Sequence, residues 1–174
     1  MRIKLVSGLA TLIVLLFMMQ SGPTALAQYE VVPEGPLTLQ IEYWSVGKEG
    51  VTDKDGWLLA WKAKASGDLT GEMRWWFPET PPAPETEYSH GEVGYYVARW
   101  EFWNGDELIL AGKSAGKTVI PEGEDGIWDG HGTVMQANGN LSSREGRRIY
   151  ETGIVIMPAD EETPSTGSGM FVIY

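Results

Sequence analysis

Residues 126–157 read GIWDGHGTVMQANGNLSSREGRRIYETGIVIM. Two runs in this stretch, Ile127 to Ala137 and Arg147 to Met157, have the alternating, β-branched and aromatic character of strands, and Asn138-Gly139 lies between them. Asn-Gly accommodates the positive φ angles of a tight type I′ corner, so the reading is two adjacent antiparallel strands. The same pattern recurs along the chain at Leu37–Trp44, Trp57–Ala65, Leu69–Phe77, Gly94–Trp103, Glu107–Val119 and Gly169–Tyr174, with a second Asn-Gly at Asn104-Gly105. No apolar stretch of helical period stands beyond the N-terminal leader. The fold class expected is therefore all-β, a single antiparallel closed β-barrel of about eight strands. Lipocalin-like and avidin-like barrels, or a β-sandwich, satisfy the same alternation.

Strand alternation predicts which side chains face inward. Leu69, Gly71, Met73, Trp75 and Phe77 share one face, opposite Thr70, Glu72, Arg74 and Trp76. Trp57, Leu59, Trp61, Ala63 and Ala65 likewise oppose Leu58, Ala60, Lys62 and Lys64. Glycines within strands, notably Gly71, Gly130, Gly132 and Gly153, weaken a strand but allow the coiling and close approach that a small closed barrel demands.

The N-terminus has Arg2 and Lys4 before an apolar run from Leu5 to Met19, then Ala25-Leu26-Ala27. This is the pattern of a secretory signal peptide over residues 1–27, leaving a barrel domain over 28–174 and a secreted or periplasmic protein. The apolar run is shorter than the ~20 residues of a spanning helix, so no stable membrane insertion is expected after cleavage. Residues 28–174 carry 11 basic and 24 acidic side chains, a net charge of −13, which disfavours nucleic acid and anionic membranes as partners. The absence of cysteine excludes disulfides, a thiol nucleophile and zinc–thiolate sites. Two acidic, proline-containing segments, Pro78–Glu92 and Pro158–Ser168, read as loops; the first fits either a solvated connection or a lid over a barrel mouth.

Motif searches return little chemistry. Gly112-Lys113-Ser114-Ala115-Gly116-Lys117-Thr118 imitates a phosphate loop with one residue too few between its glycines. Asp129 and His131 point the same way on a strand, but with only His90 and His131 in the chain no three-ligand zinc spacing arises, and Glu122, Glu124, Asp125 and Asp129 match no calcium loop, so no metal or cofactor is expected. No serine nucleophile elbow is present. Glu42, Glu72, Glu101 and Glu151 lie in strands, where carboxylates facing one another across a barrel would support acid–base chemistry. Glu151 has the parity of Ile149, Gly153 and Val155, which turns it inward among apolar groups and raises its pKa; an outward Glu151 beside Arg147 is the alternative. The candidate catalytic set is Glu151, His131 and Tyr150. The candidate ligand-binding set is Trp57, Trp61, Met73, Trp75 and Trp100, drawn from an abundant store of tryptophan. Because both members of Trp75-Trp76 are aromatic, one of them faces outward. Asn140-Leu141-Ser142 matches a glycosylation sequon.

The segments GDLTGEMRWWF (Gly67 to Phe77), GIWDGHGTVMQANGN (Gly126 to Asn140) and GRRIYETGIVI (Gly146 to Ile156) together resemble the allene oxide cyclase-like barrel proteins, a group that includes plant cyclases, dirigent proteins and bacterial cyclases of natural products. The resemblance rests on glycine placement and strand order. It implies a closed barrel around an apolar cavity and carries over no catalytic residue. Three functions follow as expectations. The leading one is a secreted barrel that binds a small hydrophobic molecule in an aromatic-lined cavity without turning it over. The second is an isomerase or cyclase that confines an apolar substrate. The third is a carbohydrate-binding or surface-interaction module using an exposed Trp76 or Trp103.

Overall fold

A computed structural model describes residues 34–78, 92–121, 124–158 and 163–174. The chain divides into two units, Met1–Val31 and Val32–Tyr174, and every described residue belongs to the second. The leader, His90 and the body of the Pro78–Glu92 loop lie outside the described residues.

Alternating sequence gives eight strands: β1 (Leu37–Ser45), β2 (Trp57–Gly67), β3 (Gly71–Pro78), β4 (Glu92–Asn104), β5 (Glu107–Ile120), β6 (Gly126–Ala137), β7 (Arg148–Ile156) and β8 (Thr166–Ile173). Each pairs antiparallel with its sequence neighbour, and β1 pairs with β8 from Leu37↔Ile173 to Trp44↔Thr166, closing the barrel. Closure pairs both edges of every described strand and excludes the sandwich alternative. The helical pieces among the described residues are two 3-10 turns, Gly47–Glu49 and Gly139–Arg144.

Three local expectations are corrected. Asn138-Gly139 is not a tight corner: it opens a longer connection whose 3-10 turn buries Leu141 and Arg144 against one end of the barrel. Here the Asn138 amide side chain donates to Leu108 O at 2.8 Å, and Arg144 donates to Gly35 O at 2.8 Å. At the other Asn-Gly, Asn104 pairs with Glu107, so the turn residues are Gly105 and Asp106, and only Gly105 has positive φ (59°). Glycine first is the type II′ pattern rather than I′. The last strand also begins earlier than expected, at Thr166, because the small residues Thr166-Gly167-Ser168-Gly169 pair with both β1 and β7 instead of forming a loop.

The largest correction concerns β2. A bulge lies between Leu59 and Trp61, so Leu59 opposes Trp76 while Trp61 opposes Trp75. One extra residue, Ala60, reverses the alternation before it. Trp61, Ala63 and Ala65 face inward as expected, but Trp57 and Leu59 turn to the outer wall. There the 46–56 connection lies against the edge of β2, with Leu59 N donating to Val51 O and Val46 N to Ala60 O, both at 2.8 Å.

The interior differs between its two ends. An eight-stranded barrel is only wide enough for side chains to fill or for one small ligand. Toward the 3-10 turn of residues 139–144, Leu37, Leu39, Met73, Trp100, Phe102, Leu110, Ile149 and Phe171 fill it completely. Gly112 and Gly71 make this packing fit, since a Cβ at either would collide with the ring of Trp100 or Phe102. Toward the opposite end the interior is hollow.

Candidate functional site

The hollow end holds a cavity of about 340 Å³, lined by Tyr43, Ala60, Trp61, Trp75, Phe77, Tyr96, Thr118, Ile120, Trp128, Glu151, Val155, Met157 and Ser165. Its aromatics come chiefly from β1–β4, whereas β5–β8 contribute glycines at the same level. Tyr96 pairs with Gly116, Gly116 with Gly130, and Gly130 with Glu151, so the four residues form one rung across β4–β7. The Tyr96 side chain lies along this rung, and its hydroxyl donates to Glu151 Oε1 at 3.0 Å. A Cβ on Gly116 or Gly130 would collide with that hydroxyl.

The device recurs beside it. Trp128 pairs with Gly153, and its indole N–H crosses that glycine to donate to the Tyr43 hydroxyl at 2.6 Å. Tyr43 pairs with Gly167 and donates across it to the Ile154 carbonyl. Trp61 and Trp128 stand nearly perpendicular to the Tyr43 ring, at interplanar angles of 82° and 74° with centroids 5.5 and 5.7 Å away. Phe77 tilts against Tyr96 with centroids 5.9 Å apart.

Glu151 is completely buried. Its Oε2 accepts the Trp75 indole N–H at 3.1 Å, and Oε1 accepts the Tyr96 hydroxyl. The Ser114 hydroxyl is also buried; no described atom meets it at hydrogen-bonding geometry, yet it lies near enough to Glu151 to favour the carboxylate. Burial raises the Glu151 pKa, and this outweighs the opposing influence of Ser114, Trp75, Tyr96 and the more distant His131. Desolvation also pushes the Tyr96 phenol well above its ordinary value, reinforced by the adjacent Glu151 charge. The Tyr43 phenol rises to about 12 for the first of these reasons, partly countered by the Trp128 N–H. Among the described residues, no lysine, arginine or histidine belongs to the cavity lining.

The expected site residues separate clearly. Glu151 faces the cavity, as do Trp61 and Trp75. His131 and Tyr150 do not join them: they pair across β6 and β7 on the outer wall, with ring centroids 5.0 Å apart. Tyr150 adjoins Glu151 in one strand and His131 adjoins Gly130, so strand alternation itself separates them from the interior. Met73 and Trp100 are fully buried in the filled half. Trp57, displaced by the bulge, lies on the outer wall with the Arg99 guanidinium 4.2 Å above its ring. Asp53 and Asp55 hold Arg99 there at 3.1 and 2.9 Å.

Tyr43, Phe77, Tyr96 and Trp128 belong to the site but not to the expected set. Parity pointed to each: Tyr43 follows Leu39 and Ile41, Phe77 follows Trp75, Tyr96 precedes Ala98 and Trp100, and Trp128 precedes Gly130.

The other strand carboxylates expected to face one another, Glu42, Glu72 and Glu101, do not face Glu151. Glu42 is exposed, Glu72 pairs with Arg74 at 2.6 Å, and Glu101 accepts the Trp103 indole N–H at 2.9 Å, all on the outer wall. Asp129 is 3.8 Å from Lys117. Among the described residues no cluster of three potential metal ligands exists. Among the described residues the arrangement therefore offers one oriented carboxyl in a largely apolar, aromatic space. Comparison with family models, curated proteins and solved structures yields no match to this chain.

Proposed function

We propose that this barrel binds a small, largely apolar molecule in the hollow end, with one polar group of the ligand directed at Glu151. The observation carrying the reading is the 340 Å³ cavity whose aromatic lining surrounds, among the described residues, a single buried carboxyl. Such a volume suits a small organic ligand, and a few placed polar groups in an apolar lining are what orients one. The filled half supplies a rigid floor. Charged side chains such as Lys62, Lys64, Lys113 and Lys117 stand outside while apolar ones stand inside, the reverse of a lipid-facing barrel, which supports a protein acting in water. The basic, apolar and A-x-A pattern of residues 2–27 supports secretion or periplasmic location. Kinship with allene oxide cyclase-like barrels is supported by the closed antiparallel topology and by glycines that seat aromatic rings.

Titration of residues 28–174 with fatty acids, terpenoids and polyketide-like compounds, followed by tryptophan emission, tests binding because Trp61, Trp75 and Trp128 line the cavity. A saturable change is expected for at least one class, weakened by Trp61→Ala. Unchanged emission with every class, and with organic amines of the same size, would overturn the reading.

One observation favours a second reading, isomerase or cyclase. Glu151 has a pKa raised by burial and is aimed by Tyr96 and Trp75, as a proton donor or acceptor for a confined substrate requires. His131 and Tyr150 are too peripheral to assist, which leaves Tyr96 as the positioning residue. Turnover that is lost in a folded Glu151→Gln variant would support this reading, and undiminished turnover would remove Glu151 from it. The carbohydrate reading has less support: Trp76 is partly buried with its indole nitrogen enclosed, and Arg74 covers Trp103 at 4.7 Å.

A further inference from the structure

Glu151 is wholly buried, yet the described residues lining its cavity include no cationic side chain. A carboxyl in this position is tolerated either as the neutral acid or as an anion whose counter-charge arrives from outside. Its two direct partners, the Trp75 N–H and the Tyr96 O–H, both donate, which suits the anion. The remaining walls have the chemistry that stabilises a positive charge. Tyr43, Trp61 and Trp128 line the same cavity as the carboxyl, and both indoles stand nearly perpendicular to the Tyr43 ring. The electron-rich face of an aromatic ring attracts a desolvated cation, most strongly for tryptophan.

Building on the proposed ligand site, we infer that its occupant is an organic cation, a quaternary or protonated amine on a small apolar body, with Glu151 as counter-ion and Tyr43, Trp61 and Trp128 as the surrounding walls. A neutral apolar ligand would use the walls and leave the carboxyl to be buried as the acid. A cation uses both. The acidic surface, at net charge −13 for residues 28–174, also concentrates cations near the protein and repels anionic ligands.

The test compares phenyltrimethylammonium with tert-butylbenzene, which has the same shape without the charge, by calorimetry at about pH 8, well above the usual carboxylate range. Residues 28–174 and the Glu151→Gln variant are titrated in parallel. The ammonium compound is expected to bind roughly tenfold or more tightly than its neutral isostere, and the preference is expected to disappear in the Gln variant while neutral binding persists. Equal or tighter binding of tert-butylbenzene to the unaltered protein would overturn the cation inference and leave the ligand site standing. Retention of the ammonium preference by the Gln variant would overturn the role of Glu151. If neither compound nor any apolar ligand binds, both the inference and the ligand reading fall.

Discussion

Tyr96 and Glu151 stand on one rung of the barrel with only Gly116 and Gly130 between them, and the phenol hydroxyl spans both glycines to reach the carboxylate at 3.0 Å. The contact needs an aromatic of that length on β4, an acid on β7, and two positions on β5 and β6 with no side chain. It orients the acid in a largely apolar cavity.

Gly130→Ala therefore damages the site while leaving both partners in the sequence. Its Cβ would strike the Tyr96 hydroxyl and come to 3.0 Å from Glu151 Oε1, forcing the ring off its rung. A loss of about 1–3 kcal/mol in denaturant unfolding is expected, as for other overpacked interiors. Combining it with Tyr96→Phe should recover part of that loss, because the colliding oxygen is gone, so the two substitutions should be clearly non-additive. Simple additivity would show that the hydroxyl is not what the glycine accommodates.

Glu151→Gln should change the pH dependence of stability. Burial places the folded-state pKa of Glu151 above its ordinary 4.5, against the weaker influence of Ser114, Trp75, Tyr96 and the outer-wall His131. Below that ordinary value the acid is protonated in both folded and unfolded chains. As pH rises from there through the folded-state pKa, the unfolded chain releases its proton first, and the unaltered protein loses stability. The Gln variant has no such proton. Its stability relative to the unaltered protein should rise with pH across this interval and level off above it, as measured by urea unfolding at a series of pH values. A pH-independent difference would mean that burial does not perturb this carboxyl.

The two halves of the barrel should respond differently to truncation. Trp100 is fully buried and packs edge-on to Phe171 at 4.9 Å, so Trp100→Ala should cost roughly 3–5 kcal/mol through the void it leaves. Trp61 borders space that is already empty, and Trp61→Ala should cost less stability while weakening ligand binding more. Thermal unfolding and ligand titration of the pair give the comparison; equal stability losses would argue against a hollow end.

On the outer wall, Arg99 ties the 53–57 connection to β4 through Asp53, Asp55 and the Trp57 ring. All three contacts are partly solvated, so Arg99→Ala should cost about 1 kcal/mol or less. Hydrogen exchange should accelerate locally at the Trp57 amide, which donates to Asp53 Oδ1 at 2.8 Å, while the interior remains protected. Acceleration throughout the barrel would contradict a local role for this clamp.

Alternation along the chain was enough to predict an eight-stranded antiparallel barrel, because a period of two in side-chain polarity is a local property of a half-buried strand. The same property indicated the inner face of β3 and allowed an inward Glu151, whose neighbours Ile149, Gly153 and Val155 share its parity, while leaving open an outward one beside Arg147. It also contained the information that Tyr150 and His131 face away from that carboxyl.

What sequence periodicity did not show were features created by pairing between strands. The bulge at Ala60 sends Trp57 and Leu59 outward, and it follows from how β2 meets β3 rather than from any residue in β2 alone. The turn at Asn138 lengthens because Leu141 finds a place in the core. Tyr96 and Glu151, 55 residues apart, meet only when β4–β7 fall into register. Alternation and composition determined the barrel and the apolar character of its interior, since each acts within a few residues. Only tertiary structure decided which end is hollow, which aromatics wall it and which carboxyl among the described residues faces it, because those depend on rings crossing the glycines of other strands.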